Sequence, residues 1–220
     1  TRLFRIGAPY LTPTDENAKK IVAYYISWGI YSRNYKVDDI PADKITHINY
    51  AFANINPSTG KIEIGDADAD TDHTKGSLTT DWSSNHPFRG NFSALINLKI
   101  QNPHLRTFIS IGGWTWSQHF SQISATEESR NTFVDSAINF MLKYGFDGID
   151  LDWEYPVGGG KYGGVAADKQ NYTLLLAAFR ERLNELNEYQ NPGHEFLLTI
   201  ASTAAANKFD NMELATMINH

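Results

Sequence analysis

At 220 residues, with 41% hydrophobic and 20% charged side chains, the chain has room for one domain with a substantial core, or for most of a larger one. A formal charge of −6, without any Lys/Arg cluster interleaved with aromatics, offers no field for a phosphate backbone, so nucleic acid is not an expected partner. Zero cysteines exclude disulfides, thiolate metal sites and cysteine nucleophiles, and no apolar run approaches the ~20 residues of a membrane span.

Residues 1–20 lack the apolar core of a signal peptide and are expected to form an extension packed on, or leading into, the fold. Apolar runs with strand character follow at 21–28, 45–54, 106–113, 146–155 and 196–203, with helical patterns between most of them. Between 57 and 90 the chain is polar and without helical periodicity, which predicts a long loop with a small hairpin around 61–64. After Thr126, the residues Val134, Ile138 and Met141 stand at helical spacing, and the pattern stops at Gly145. Tyr172, Leu175, Leu176, Phe179, Leu183 and Leu186 make a second amphipathic stripe that ends before Asn191-Pro-Gly193. The alternation is βα throughout, so the helices would cover a parallel sheet.

The run 146–155 carries the chemistry. Strand side chains alternate between faces, so Ile149, Leu151 and Trp153 form an apolar side while Asp150, Asp152 and Glu154 line up opposite, roughly 7 Å apart per step. Three carboxylates in a partly buried row repel one another, so at least one is expected to hold a proton at neutral pH. Asp147 has the opposite parity and is expected to point toward the helices as structural support. This row also separates two architectures. Under the helix layer of an open doubly wound sheet the acids would lack partners, at a cost of several kcal/mol each. A (β/α)8 barrel of TIM type instead directs them into a lumen that can be polar near its C-terminal mouth. The barrel is therefore expected, with about five of its eight βα units in this chain and the whole of 1–220 as one partial catalytic barrel. Five strands leave open edges, so the chain is expected to belong to a longer polypeptide or to a two-chain assembly that completes the barrel.

With Asp147, Asp150, Asp152 and Glu154 spelling D-x-x-D-x-D-x-E, and Ser110-Ile-Gly-Gly-Trp114 closing the preceding strand, the sequence resembles the glycoside hydrolase family 18 chitinases. Tyr24-Tyr-Ile-Ser-Trp28 is similar to the family's first strand and Asn49-Tyr-Ala-Phe52 to its second. The resemblance implies a secreted enzyme that hydrolyses β-1,4-linked N-acetylglucosamine in chitin and chito-oligosaccharides, with retention and without a cofactor. In such substrate-assisted enzymes the sugar's own acetamido oxygen is the nucleophile. It further implies Glu154 as general acid/base, Asp152 as partner of the acetamido group, and Asp150 as a proton-sharing neighbour deeper in the barrel. Trp28 would serve a distal glycone subsite, Trp114 with Thr115 the aglycone side, and Tyr24 and Phe52 the cleaved sugar. Ala201 and Ser202 are small residues for the cleft wall, with core packing equally open.

The sequence also departs from the pattern: the family's sixth-strand Met-x-Tyr-Asp motif and its eighth-strand tryptophan have no counterpart here. A noncatalytic chito-oligosaccharide-binding module and an inert fragment are therefore alternatives. Oxygen ligands on one strand would suit a hard cation, but no second acidic or histidine cluster completes a shell, and no metal is expected. Asp66, Asp68, Asp70 and Asp72, followed by His73, fail the calcium-loop pattern at Thr71 and Ser77 and read as a solvated acidic loop. Gly158-Gly-Gly-Lys161 lacks phosphate-loop spacing and reads as a flexible loop bordering the cleft.

Overall fold

The computed structural model describes residues 19–72, 89–189 and 195–220. The expected N-terminal extension falls almost wholly outside them, as do His73, Ser77 and the Asn191-Pro-Gly193 stop. Five strands form a parallel sheet: β1 (Val22–Ile26), β2 (His47–Ile55), β4 (Arg106–Gly112), β5 (Gly148–Asp152) and β6 (Leu197–Ile200). The short β3 (Ile62–Glu63) returns antiparallel onto the end of β2, as the hairpin expected around 61–64. The order is β1-β2-β4-β5-β6, with every parallel neighbour added on the same side and no reversal. A doubly wound sheet reverses its strand order at a switch point, whereas a barrel does not, so the order itself selects the barrel path.

Helices α1 (Gly90–Gln101), α3 (Glu127–Tyr144) and α4 (Asp168–Tyr189) connect successive strands, with the short α2 (Phe120–Ser124) ahead of α3 and two single-turn helices, α5 (Ala206–Phe209) and α6 (Leu214–Met217), after β6. Thr126 starts α3 by accepting from the Ser129 amide at 3.1 Å. Gly145 ends it in the left-handed region, and Phe146 N–H returns to the Met141 carbonyl at 2.9 Å. Of the stripes predicted for α3 and α4, Val134, Ile138 and Met141 on the first and Tyr172, Leu175, Leu176, Phe179 and Leu183 on the second are buried, and Leu186 is partly buried against them. They pack on the outer face of the sheet, against Ile109, Ile111, Ile149 and Leu151. Trp153 belongs to this layer, stacked on Phe120 at 5.3 Å and edged by Tyr172 at 5.1 Å.

Three expectations are corrected. The acid strand ends at Asp152, so Glu154 lies beyond it instead of being its last residue. The first strand ends at Ile26, and Trp28 is carried by the 3-10 turn Ser27–Ile30. The acidic loop is not simply solvated, because residues Asp68–Asp72 form one turn of π-helix in which Asp70 is 1% exposed. Burial became possible there because Tyr50, on the outer face of β2, supplies a phenol that donates to the Asp70 carboxylate.

Candidate active site

Parallel pairing decides which residues share the inner face. The β4–β5 register sets Ser110 beside Asp150, and the β5–β6 register sets Asp150 beside Thr199. Ser110 Oγ donates to Asp150 at 2.7 Å, Thr199 Oγ1 to its other oxygen at 2.6 Å, and Tyr24 on β1 reaches across with its phenol at 2.9 Å. Three hydroxyls therefore engage a carboxylate that is 1% exposed.

One step toward the mouth, Asp152 sits opposite Gly112. Burial first, then the carboxylates of Glu154 and Asp150, push its pKa up to about 7. Its proton therefore exchanges near neutrality, through burial first and the crowding of acids second. Gly112 stands at φ +106, and a Cβ there would lie 2.5 Å from the Asp152 carbonyl. Only glycine admits both that φ and that approach.

Beyond the strand the ladder is continued by a side chain. Ser117 Oγ accepts from the Glu154 amide at 2.9 Å and donates to the carbonyls of Gly113 at 2.8 Å and Asp152 at 3.1 Å. This half-buried Glu154 faces the cleft with Tyr155, whose phenol is pushed up by burial and by the Glu154 carboxylate. Lys208 lies 5.1 Å from the Tyr155 ring.

The cleft, about 390 Å³, is walled on one side by Tyr24, Ile26, Trp28 and Phe52 and on the other by Asp152, Glu154, Tyr155, Ala201 and Ser202. Phe52 enters it from a bulge, where the β2–β4 register skips from Ala51 to Ala53. Its ring and that of Trp28 lie 6.2 Å apart. The sequence-predicted Tyr24, Trp28, Phe52, Asp152, Glu154 and Ala201 are thus brought around one opening, with Asp150 directly beneath. Trp114 and Thr115 are not part of that wall: Trp114 is 52% exposed on the loop after β4, and the Thr115 carbonyl accepts from Tyr162 at 2.8 Å. That bond ties their loop to the glycine-rich segment after β5, which is also held by Asp168 accepting from the amides of Val157 and Val165. Asp147 faces the helices, fully buried, accepting from Lys99 Nζ of α1 at 2.8 Å and from the Thr107 amide at 2.9 Å. It does not reach the cleft.

Sequence reasoning missed Thr199, Ser117, Tyr155 and Ile26. Only Tyr155 carried a signal, as the residue after the last acid. Thr199 becomes a partner of Asp150 through register alone. Among the described residues no group of His, Cys, Asp and Glu has the arrangement of a metal site. What the residues can do together is protonate and deprotonate an oxygen held beside an aromatic wall, with a second acid nearby whose own proton is exchangeable near neutrality.

The family model for glycosyl hydrolases family 18 matches residues 20–220. The chain belongs to this family. Among curated relatives it is 46% identical to chitinase A1 of Niallia circulans, over 93% of this chain and 33% of that protein. It is 40% identical to chitinase 1 of Aphanocladium album, over 88% of this chain and 44% of that protein. The structure of chitinase ChiA74 from Bacillus thuringiensis superposes with a TM-score of 0.81 at 40% identity, covering 92% of this chain and 38% of that one. The catalytic domain of chitinase B from Arthrobacter TAD20 gives 0.82 at 30% identity, covering 91% and 56%. The chain thus spans a third to somewhat over half the length of these proteins, and its five-stranded sheet is part of a (β/α)8 barrel of TIM type.

Proposed function

We propose that this family 18 chain carries the catalytic carboxylates of a retaining chitinase. The observation that carries the reading is the placement of Glu154 in an aromatic-walled cleft next to Asp152, whose pKa is raised to about 7 above the hydroxyl-held Asp150. Glu154 gives its proton to the glycosidic oxygen as the C1–O bond breaks, while the acetamido oxygen of the same sugar attacks C1. Asp152 accepts from the acetamido N–H and stabilises the positive oxazolinium that forms. A water then surrenders a proton to Glu154 and attacks C1 as the bond from C1 to the acetamido oxygen breaks and the neutral acetamide re-forms, so two inversions restore the configuration. Asp150 anchors the lower end of the row and shares a proton with Asp152, and Asp147 supports the strand through Lys99. Trp28 offers its ring face to a distal glycone sugar, Tyr24 and Phe52 theirs to the cleaved sugar and Ala201 a small wall, while Trp114 and Thr115, on the loop beyond that wall, stand on the aglycone side.

The same reading places the protein outside the cell, where an insoluble polymer must be met. It also includes further strands, from this polypeptide or a second one, against β1 and β6. Val22 and Tyr24 on the inner face of β1 are 53% and 48% exposed, as expected of a surface made to be covered. That exposure equally supports noncatalytic binding of chito-oligosaccharides by these residues alone.

Hydrolysis of chitohexaose by the purified protein, with and without any co-purifying chain, separates the two. Glu154→Gln is expected to lower the rate roughly 10²- to 10⁴-fold while preserving binding. An unchanged rate would remove Glu154 from the mechanism, and binding without turnover by the unsubstituted protein would favour the binding module.

A further inference from the structure

The acidic turn Asp66–Asp72 takes no part in the chemistry above, yet it is tied to the cleft wall at two points. Asp70 accepts from the Tyr50 phenol and from the Asp66 amide, the latter at 3.1 Å. Asn91 Nδ2, at the start of α1, donates to that phenol oxygen at 3.0 Å and to the Ser27 carbonyl at 3.4 Å. From the other side, the Tyr31 phenol donates to Asp66 at 2.8 Å and to Asp68 at 3.3 Å. Ser27 and Tyr31 bracket one short turn, and that turn carries Trp28.

The turn is short: Ser27, Gly29 and Ile30 are buried and the Gly29 carbonyl accepts from the Tyr35 amide at 2.9 Å, while Trp28 points outward. It is a single 3-10 turn without a side-chain cap, closed by a 3.3 Å bond from Tyr31 N–H to the Trp28 carbonyl. Trp28 is 44% exposed, with its ring 6.2 Å from that of Phe52. The acidic turn is closely seated. A Cβ on Gly90, at φ +69, would lie 2.6 Å from the Ala69 carbonyl, and one on Gly65 would lie 2.2 Å from the Phe52 carbonyl. Burial pushes Asp70 up to about 7, against which the hydrogen bonds from Tyr50 and the backbone act. A carboxyl kept there despite that penalty is held by what it connects.

We propose that Asp70 is a positioning residue which, through Tyr50 and Asn91 at one end and Asp66 and Tyr31 at the other, clamps the turn carrying Trp28 and sets the cleft's affinity for a sugar there. The inference rests on the chito-oligosaccharide reading above. A ring that stacks on a sugar gains only when its plane is held in the binding orientation, so slackening the clamp weakens binding at that end and leaves the proton-transfer residues alone.

The test is calorimetric titration with chitohexaose and with chitobiose, in the Glu154→Gln background of the full protein so that neither ligand is cleaved. Tyr31→Phe and Tyr50→Phe keep both rings and remove one hydroxyl each. Each is expected to raise Kd for chitohexaose roughly fivefold, the loss of about one hydrogen bond's worth of ordering, and to change Kd for chitobiose less than about twofold. In a Trp28→Ala background neither should weaken binding further. Tyr31 is 44% exposed, so its variant folds even where the buried Tyr50 variant does not. Equal weakening for both ligands, losses that add to that of Trp28→Ala, or an unchanged Kd with Tyr31→Phe would each overturn the clamp. Failure of the Glu154→Gln protein to bind either sugar would overturn the functional reading and the clamp with it, a result distinct from binding that ignores the clamp.

Discussion

The amide of Glu154 donates to the Ser117 hydroxyl at 2.9 Å, and this one buried oxygen takes the place of the strand ladder that ends two residues earlier. Through its bonds to Gly113 and Asp152 it holds the Glu154 backbone in fixed relation to the rest of the acid row. Ser117→Ala is expected to lower kcat about tenfold with KM nearly unchanged, and to cost about 1–2 kcal/mol of stability. Steady-state kinetics alongside urea denaturation check both, and a kcat within twofold of the unsubstituted protein would deny Ser117 a positioning role.

Asp152 makes stability depend on pH with a definite sign. Its pKa rises from 3.8 to about 7 on folding, so the folded chain binds this proton more tightly than the unfolded one. The resulting contribution is fully present below about pH 4 and is lost as pH rises through about 7. Asp152→Asn removes this titration and should stabilise the protein at pH 8 by about 1–3 kcal/mol while lowering activity. Denaturation midpoints from pH 4 to 8 for both proteins would show it; parallel curves would refute it.

Lys99 and Asp147 form an ion pair under α1 in which the carboxylate is fully buried. Removing the cation by Lys99→Met is expected to cost about 3 kcal/mol, since the buried charge loses its main partner. The double change Lys99→Met with Asp147→Leu should recover part of that loss, measured in the same denaturation series.

Two adjacent glycines should respond differently to alanine. At Gly112 the added methyl meets the Asp152 carbonyl, a backbone atom, at 2.5 Å, so a loss of about 2–4 kcal/mol and displacement of Asp152 are expected. At Gly113, φ +77, it meets the Phe52 ring at 2.7 Å. There a raised KM for chito-oligosaccharides is expected beyond the backbone cost, as the ring swings from the cleft wall. Comparing KM and kcat for the two variants separates these routes.

The alternation of Asp150 and Asp152 with Ile149 and Leu151 was legible because a strand's period of two is a local property, independent of what the strand packs against. The stripes of α3 and α4, the Gly145 stop and the four-acid motif were legible for the same reason. Asp70 was not, since nothing near it in sequence announces the Tyr50 phenol, 20 residues earlier, that makes its burial tolerable. Nor did strand-like composition through 146–155 reveal that pairing stops at Asp152, because hydrogen bonding to a neighbouring strand, and not propensity, ends a strand.

From the sequence alone came the family, the acid row and the order of βα units, all written in short-range spacing. Only tertiary structure decided that Asp150 is met by hydroxyls from β1, β4 and β6, that Ser117 holds Glu154 beyond its strand, and that Trp114 stands apart from the cleft wall. The bonds among them join residues 37 to 126 apart in the chain, and such meetings are set by strand register and by the packing of whole elements.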